Sequence, residues 1–161
     1  MPNIVVDSRE RKPWTFQRQR IMRGWTTEVR RMRTADYAIG GCGEDFLIER
    51  KGAATEFAQN LQDGDLPRFR RELIRLRDCP HAHVILEFER SELRGLMGWR
   101  DTPFYLDPNR GVRRGFYAER FAELEAEFPT VQWHFAEDRG RAERLAVTLI
   151  DEYLATQGNA A

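Results

Sequence analysis

A run of small residues, Gly40-Gly41-Cys42-Gly43, separates two short β-prone stretches, Asp36-Tyr37-Ala38-Ile39 and Phe46-Leu47-Ile48-Glu49-Arg50-Lys51. Glycines supply the positive φ that a tight reversal needs, so the segment predicts a hairpin whose arms lie side by side. Side chains alternate faces along a strand, which puts Glu49 and Lys51 on one face and Arg50 on the other. Asp36 opens the neighbouring arm. If Asp36 faces inward too, the site holds two acids and one lysine, the minimum set for metal-assisted phosphodiester cleavage. The acids hold a hard divalent cation such as Mg²⁺, the cation makes hydroxide from a bound water, and the lysine orients that water or offsets phosphoryl charge. The same residues also make an ordinary cross-strand ion pair, worth little energetically. The hairpin alone leaves both readings open.

A length of 161 residues suits one domain with its own core, and 41% hydrophobic residues with 11% aromatics mark a globular chain. Lys plus Arg and Asp plus Glu number 26 each. No global field therefore draws in nucleic acid, and any contact with DNA has to come from local clusters. Lys12 and Lys51 are the only lysines, so a lysine inside Glu49-Arg50-Lys51 carries information. Cys42 and Cys79 form no C-x-x-C pair, which fits a reducing compartment. Cys79-Pro80-His81-Ala82-His83 reads as ordinary strand-leading sequence rather than a zinc site. With no signal-peptide pattern and no membrane-length apolar run, the expectation is a soluble, cytoplasmic, nucleic-acid-associated protein with no membrane contact.

Asn3-Ile4-Val5-Val6 is an apolar strand that runs into the charged burst Asp7-Ser8-Arg9-Glu10-Arg11-Lys12. A strand ending in charge is a common site location in α/β proteins. An arginine-bearing loop with Arg18, Arg20 and Arg23 follows up to Gly24, then a strand within Trp25 to Met32. Ala53 to Leu61 has helical composition. Asp65 caps a second helix with the stripe Leu66, Phe69, Leu73 and Leu76, whose arginines 68, 71, 75 and 77 either face phosphates or pair with Glu72 and Asp78. Val84 to Phe88 is a buried strand, Ser91 caps a short helix to Met97, and Gly98 to Gly111 is a loop flanked by Arg100, Arg110, Arg113 and Arg114. Tyr117, Phe121, Leu124 and Phe128 define a helix, Val131 to Phe135 a strand on which His134 is structural, and Asp138 caps the last helix. Residues 1–156 thus form one mixed α/β domain, a sheet between helices, with a frayed tail over 157–161.

Three ordered stretches, Asp7-Ser8-Arg9-Glu10, Asp36-Tyr37-Ala38-Ile39 and Ile48-Glu49-Arg50-Lys51, resemble the nuclease domain of the XPF/Hef family of structure-specific DNA endonucleases. That family belongs to the wider PD-(D/E)xK, restriction-endonuclease-like fold, and Phe135-Ala136-Glu137-Asp138-Arg139 is similar to its closing segment. The resemblance implies Mg²⁺ or Mn²⁺ held by Asp36, Glu49 and the backbone carbonyl of Arg50, with Asp7 beside the metal and Glu10 in an outer shell. It further implies that Lys51 serves the attacking water and that Arg9 and Arg50 brace the acids or the phosphate. The implied substrate is branched, flap or single-strand/duplex junction DNA, cut to a 5′-phosphate and a 3′-hydroxyl.

Two positions depart from the family pattern. Ala35 stands where glycine is usual, a change expected to matter little, and Thr55 stands at the last acidic position, with Glu56 one residue on. A one-residue step on a helix turns a side chain by about 100°, so Glu56 is not expected to substitute directly. Within these 161 residues no tandem helix-hairpin-helix is expected after the last helix. Branched DNA would then be recognised by the catalytic face, a homodimer or a second subunit. Two alternatives remain: a non-catalytic DNA- or partner-binding module on the same fold, and an RNA-cleaving or restriction-type enzyme.

Overall fold

The computed structural model describes residues 1–97 and 111–158. Strands β1 (Asn3–Asp7), β2 (Thr26–Arg30), β3 (Tyr37–Ile39), β4 (Phe46–Lys51), β5 (His81–Leu86) and β6 (Gln132–Phe135) form one sheet in the order β2-β1-β3-β4-β5-β6. β3 runs antiparallel to both β1 and β4, while β1 pairs parallel with β2, and β4 with β5 and β5 with β6 likewise. All strands but β3 therefore point the same way, and their carboxyl ends share one edge of the sheet.

The expected hairpin is present, with Tyr37 opposite Ile48 and Ala38 opposite Leu47. One face of the sheet is covered by helices α2 (Ala54–Asn60), α3 (Leu66–Arg77), α4 (Arg90–Gly95) and α5 (Phe116–Glu127), whose Phe57, Phe69, Leu73, Leu93 and Phe121 pack on Val5, Leu47, Val84 and Leu86. The other face is covered by α6 (Arg139–Gly158) and by Trp14 and Phe16, against Ile4, Val6, Ile48 and Ile85. The result is the mixed sheet with flanking helices that the sequence predicts.

Several local expectations are corrected. The arginine-bearing loop is a helix, α1 (Gln17–Arg23), closed by Gly24 at φ 66. It buries none of its residues and leaves Ile21 and Met22 exposed, so it has no apolar periodicity to read. β5 starts at His81 and stops before Glu87. Asp65 makes no side-chain cap, and α4 is capped by Glu89 through a capping box with Glu92 rather than by Ser91. Asp138 does cap α6, accepting from the Arg141 N–H at 2.8 Å. α6 continues through Gln157 and Gly158, past the start of the expected tail. Most of the 98–111 loop, with Arg100 and Arg110, lies outside the described residues.

Candidate active site

Strand carboxyl ends are rigid and open, and here they collect acids. Asp7 ends β1, Glu49, Arg50 and Lys51 end β4, and Glu87 immediately follows β5. Asp36 joins them because β3 is reversed, so its leading residue lies at the same edge. Two backbone contacts fix it there: the Asp7 N–H donates to the Asp36 carbonyl at 2.8 Å, and the Asp36 N–H to the Ile48 carbonyl at 3.0 Å. Asp7, Arg9, Glu10, Asp36, Glu49 and Arg50 all line a cleft of about 1000 Å³, floored by the strand ends and walled by α2, α3 and the start of α6.

The acids fall into two groups. Asp7 is buried and held in a fork by Arg9, which donates through Nε to both carboxylate oxygens at 3.1 Å and through Nη2 to Oδ2 at 2.5 Å. Burial raises the Asp7 pKa, but these charge-assisted bonds outweigh it and hold the carboxyl below its usual range. Glu87 is held in the same manner by Arg50, Nε to Oε1 at 2.7 Å and Nη2 to Oε2 at 2.6 Å, with the Trp14 Nε1–H donating to Oε1 at 2.8 Å. Its pKa is likewise lowered against the effect of burial. Glu10 accepts from the Lys12 N–H at 2.7 Å and lies 3.4 Å from Arg50 Nη1.

Among the described residues, Asp36 and Glu49 have no arginine fork. Asp36 Oδ2 accepts only the Arg50 N–H, at 2.8 Å, and Glu49 Oε1 accepts from Lys51 Nζ at 2.7 Å. Burial and the neighbouring Glu49 charge push the Asp36 pKa up to about 8. Lys51 is enclosed by Glu49, by Glu72 of α3 at 3.5 Å and by the Phe69 ring, whose centroid is 5.0 Å from Nζ. Burial works against its ammonium, yet the two carboxylates prevail and keep it charged. The expected facing of this strand holds, since the Arg50 side chain leaves Glu49 and Lys51 and runs to Glu87 and Glu10.

This donor set fits a hard divalent cation. Asp36 and Glu49 keep oxygen lone pairs to spare, and a bound cation would offset the burial and the Glu49 charge that raise the Asp36 pKa. No set of three or more His, Cys, Asp or Glu side chains is gathered to hold a metal among the described residues. Both oxygens of Asp7 are engaged by Arg9, so ligation by Asp7 would require that fork to open.

The structure also revises the reading of both departures. Ala35 adopts φ 66, the left-handed region that glycine occupies without cost, so the usual glycine at this position has a conformational reason. Glu56 lines the cleft whereas Thr55 does not, and Glu56 Oε2 lies 2.7 Å from where a Cβ on Gly52 would sit. Gly52 lets that carboxylate fold back over the strand end. The cleft residues missed from sequence are Glu87, Glu72 and Arg139. Glu87 alone left a signal, as an acid closing the apolar run Val84-Ile85-Leu86. Outside the cleft, His134 pairs with His83 at 3.1 Å inside the fold, as expected of a structural residue.

A six-stranded mixed sheet flanked by helices, with acids gathered at its carboxyl edge, has the restriction-endonuclease-like fold of XPF-type domains. The chain belongs to the ERCC4-domain family, whose model matches residues 6–138. Among solved structures it is similar to XPF from Aeropyrum pernix, with a TM-score of 0.58 and 21% identity over 96% of this chain. The chain spans 65% of that structure's length, and the likeness is one of fold. No curated protein matches the chain. No helix among the described residues is long and apolar enough to cross a membrane.

Proposed function

We propose that the chain is a divalent-metal-dependent DNA endonuclease acting at branched, flap or single-strand/duplex junction DNA. The observation that carries this reading is the convergence of Asp36 and Glu49 in the cleft of an ERCC4-family fold, with Lys51 ion-paired to Glu49 behind them. Asp36, Glu49 and the Arg50 carbonyl would hold Mg²⁺ or Mn²⁺, with Asp7 and Glu10 as outer partners. The cation, when bound, acidifies a coordinated water and offsets charge growing on the phosphoryl oxygens. Lys51, confined between Glu49 and Phe69, orients that water without losing its own proton. Arg9 fixes Asp7, and the Arg50–Glu87 fork fixes the backbone that carries Glu49 and Lys51. Water oxygen bonds to phosphorus, the bond from phosphorus to the 3′ oxygen breaks, and that oxygen takes up a proton, giving a 5′-phosphate and a 3′-hydroxyl.

The test is a cleavage panel of flap, fork, bubble and duplex DNA, with matched RNA, across a Mg²⁺ and Mn²⁺ titration. Metal-dependent cutting of the branched substrates, lost in Glu49→Ala, is expected. DNA binding without cleavage at any metal concentration would place the chain among non-catalytic modules of the fold. A homodimer or second subunit that presents the branch is part of the same proposal, checked by light scattering of the protein on its substrate.

A further inference from the structure

Helix α3 carries arginines in two different settings. On one flank, Arg70 pairs with Glu127 at 3.0 Å and Arg77 with Asp78 at 3.8 Å. On the other, Arg68, Arg71 and Arg75 recur at intervals of three and four residues and so share one narrow stripe beside Glu72. All three are exposed. Neither Arg71 nor Arg75 is held in an ion pair among the described residues, and Arg68 has only the exposed Asp65 carboxylate at 3.5 Å, a screened contact worth little.

Like charges at these intervals cost an isolated helix stability. The buried stripe of α3, Leu66, Phe69, Leu73 and Leu76, does not require arginine there. What distinguishes this row is its continuity with the cleft. Arg75 lines the cleft wall, and Glu72 of the same face reaches Lys51 at 3.5 Å. Arg71 lies one turn and Arg68 two turns back from Arg75, so the row extends about 10 Å outward, roughly three nucleotide rises of one strand.

We infer that this row is a phosphate track, along which a DNA strand leaves the cleft with Arg75, Arg71 and Arg68 against successive backbone positions. The direction of the track rests on the nuclease reading, which puts the reacting phosphate at Asp36 and Glu49; the binding itself does not. In a chain without net charge, the track supplies the local cationic surface that a polyanion needs. It grips backbone rather than bases, so it sets how far substrate must extend past the cut and not which sequence is cut.

The test is a salt titration of DNA binding by fluorescence anisotropy in EDTA, where cleavage cannot interfere. In a plot of log affinity against log salt, Arg68→Ala/Arg71→Ala is expected to flatten the slope by about 1.5, while Arg70→Ala/Arg77→Ala on the opposite flank leaves it unchanged. Arg68→Lys/Arg71→Lys keeps both charges and restores the slope, which separates charge loss from misfolding. Extending the DNA one nucleotide at a time past the cut should raise wild-type affinity over about three nucleotides, a gain absent from the alanine pair. An unchanged slope in Arg68→Ala/Arg71→Ala, or an equal fall in Arg70→Ala/Arg77→Ala, overturns the track. Wild-type cleavage beside an unchanged slope would reject the track and keep the nuclease; a flattened slope in a protein that cuts nothing would do the reverse.

Discussion

The two ends of the sheet bury ionisable side chains on the same strands and treat them in opposite ways. At the carboxyl ends, Asp7 and Glu87 stay ionised inside arginine forks while Asp36 and Glu49, also largely buried, have none among the described residues. At the opposite end, His83 lies in the core with its Nδ1 3.1 Å from His134 Nε2, beside the Phe46 ring, and His81 meets the Tyr153 ring. Burial first, then the His134 and His81 rings, lower the His83 pKa to about 4, so the imidazole is neutral. One end keeps charge and tolerates its cost; the other disposes of charge and packs. Ala35 and Glu137 take left-handed conformations without being glycine, as does Phe16 before α1, whereas the hairpin turn uses Gly41 and Gly43.

The widest separation of the ends should appear in activity. Lys51→Ala is expected to lower cleavage by about a thousandfold or more, the scale on which preorganised electrostatic groups act. It should leave the secondary structure, read by circular dichroism, intact. Cutting at wild-type rate by Lys51→Ala would move the chemistry elsewhere. The forked acids should behave differently, because they hold the fold as well as the site. Glu87→Ala strands Arg50, which is about nine-tenths buried, and is expected to cost about 3–5 kcal/mol in denaturant unfolding. A loss under 1 kcal/mol would mean that Arg50 finds another partner, with Glu10 at 3.4 Å the nearest.

The histidine end gives a pH signature of definite sign. His83 binds its proton less readily folded than unfolded, so between its folded pKa of about 4 and the ordinary value of 6.5 the unfolded chain holds more protons. Stability from this residue is complete above the upper value and is lost as pH falls through the window, to the extent of about 3 kcal/mol. Thermal unfolding of His83→Phe should fall less steeply between pH 7 and 4 than that of wild type. Parallel curves would show that His83 is not what titrates.

The contrast also explains what could be read in advance. The hairpin was legible because glycine between β-prone arms is a local signal, and the shared face of Glu49 and Lys51 follows from strand alternation, whereas Asp36 joins them only through the reversal of β3. The helical stripes of α3 and α5 were legible for the same reason, since period decides them. Glu87 was not, because its importance comes from parallel pairing that sets Lys51 beside Leu86 across many residues of intervening chain. Helix α1 was missed because nothing on it is buried. Both arginine forks also depend on three-dimensional neighbours: Arg50 meets Glu87 from an adjacent strand end, and Arg9 is steadied by the Met32 carbonyl.

The smallest expected effect sharpens the account of strain at the acidic end. Ala35→Gly removes a left-handed penalty of roughly 1–2 kcal/mol. It adds about 0.4–1 kcal/mol of unfolded-chain entropy and forfeits the burial of one methyl group, up to about 0.8 kcal/mol. Ala35 is buried, so that last loss applies nearly in full. The opposing contributions are of similar size, and Ala35→Gly should alter unfolding stability by less than about 1 kcal/mol. Cancellation of this kind is how alanine can stand at a position whose backbone favours glycine, while Asp36 next to it keeps its place in the cleft. Ala35→Val separates strain from burial: it keeps apolar bulk but is poorly suited to positive φ, and it should destabilise by about 2 kcal/mol. If glycine instead stabilised the protein by 2 kcal/mol or more, the strain at Ala35 would be larger than its backbone angle implies and the adjacent acid would be held under tension.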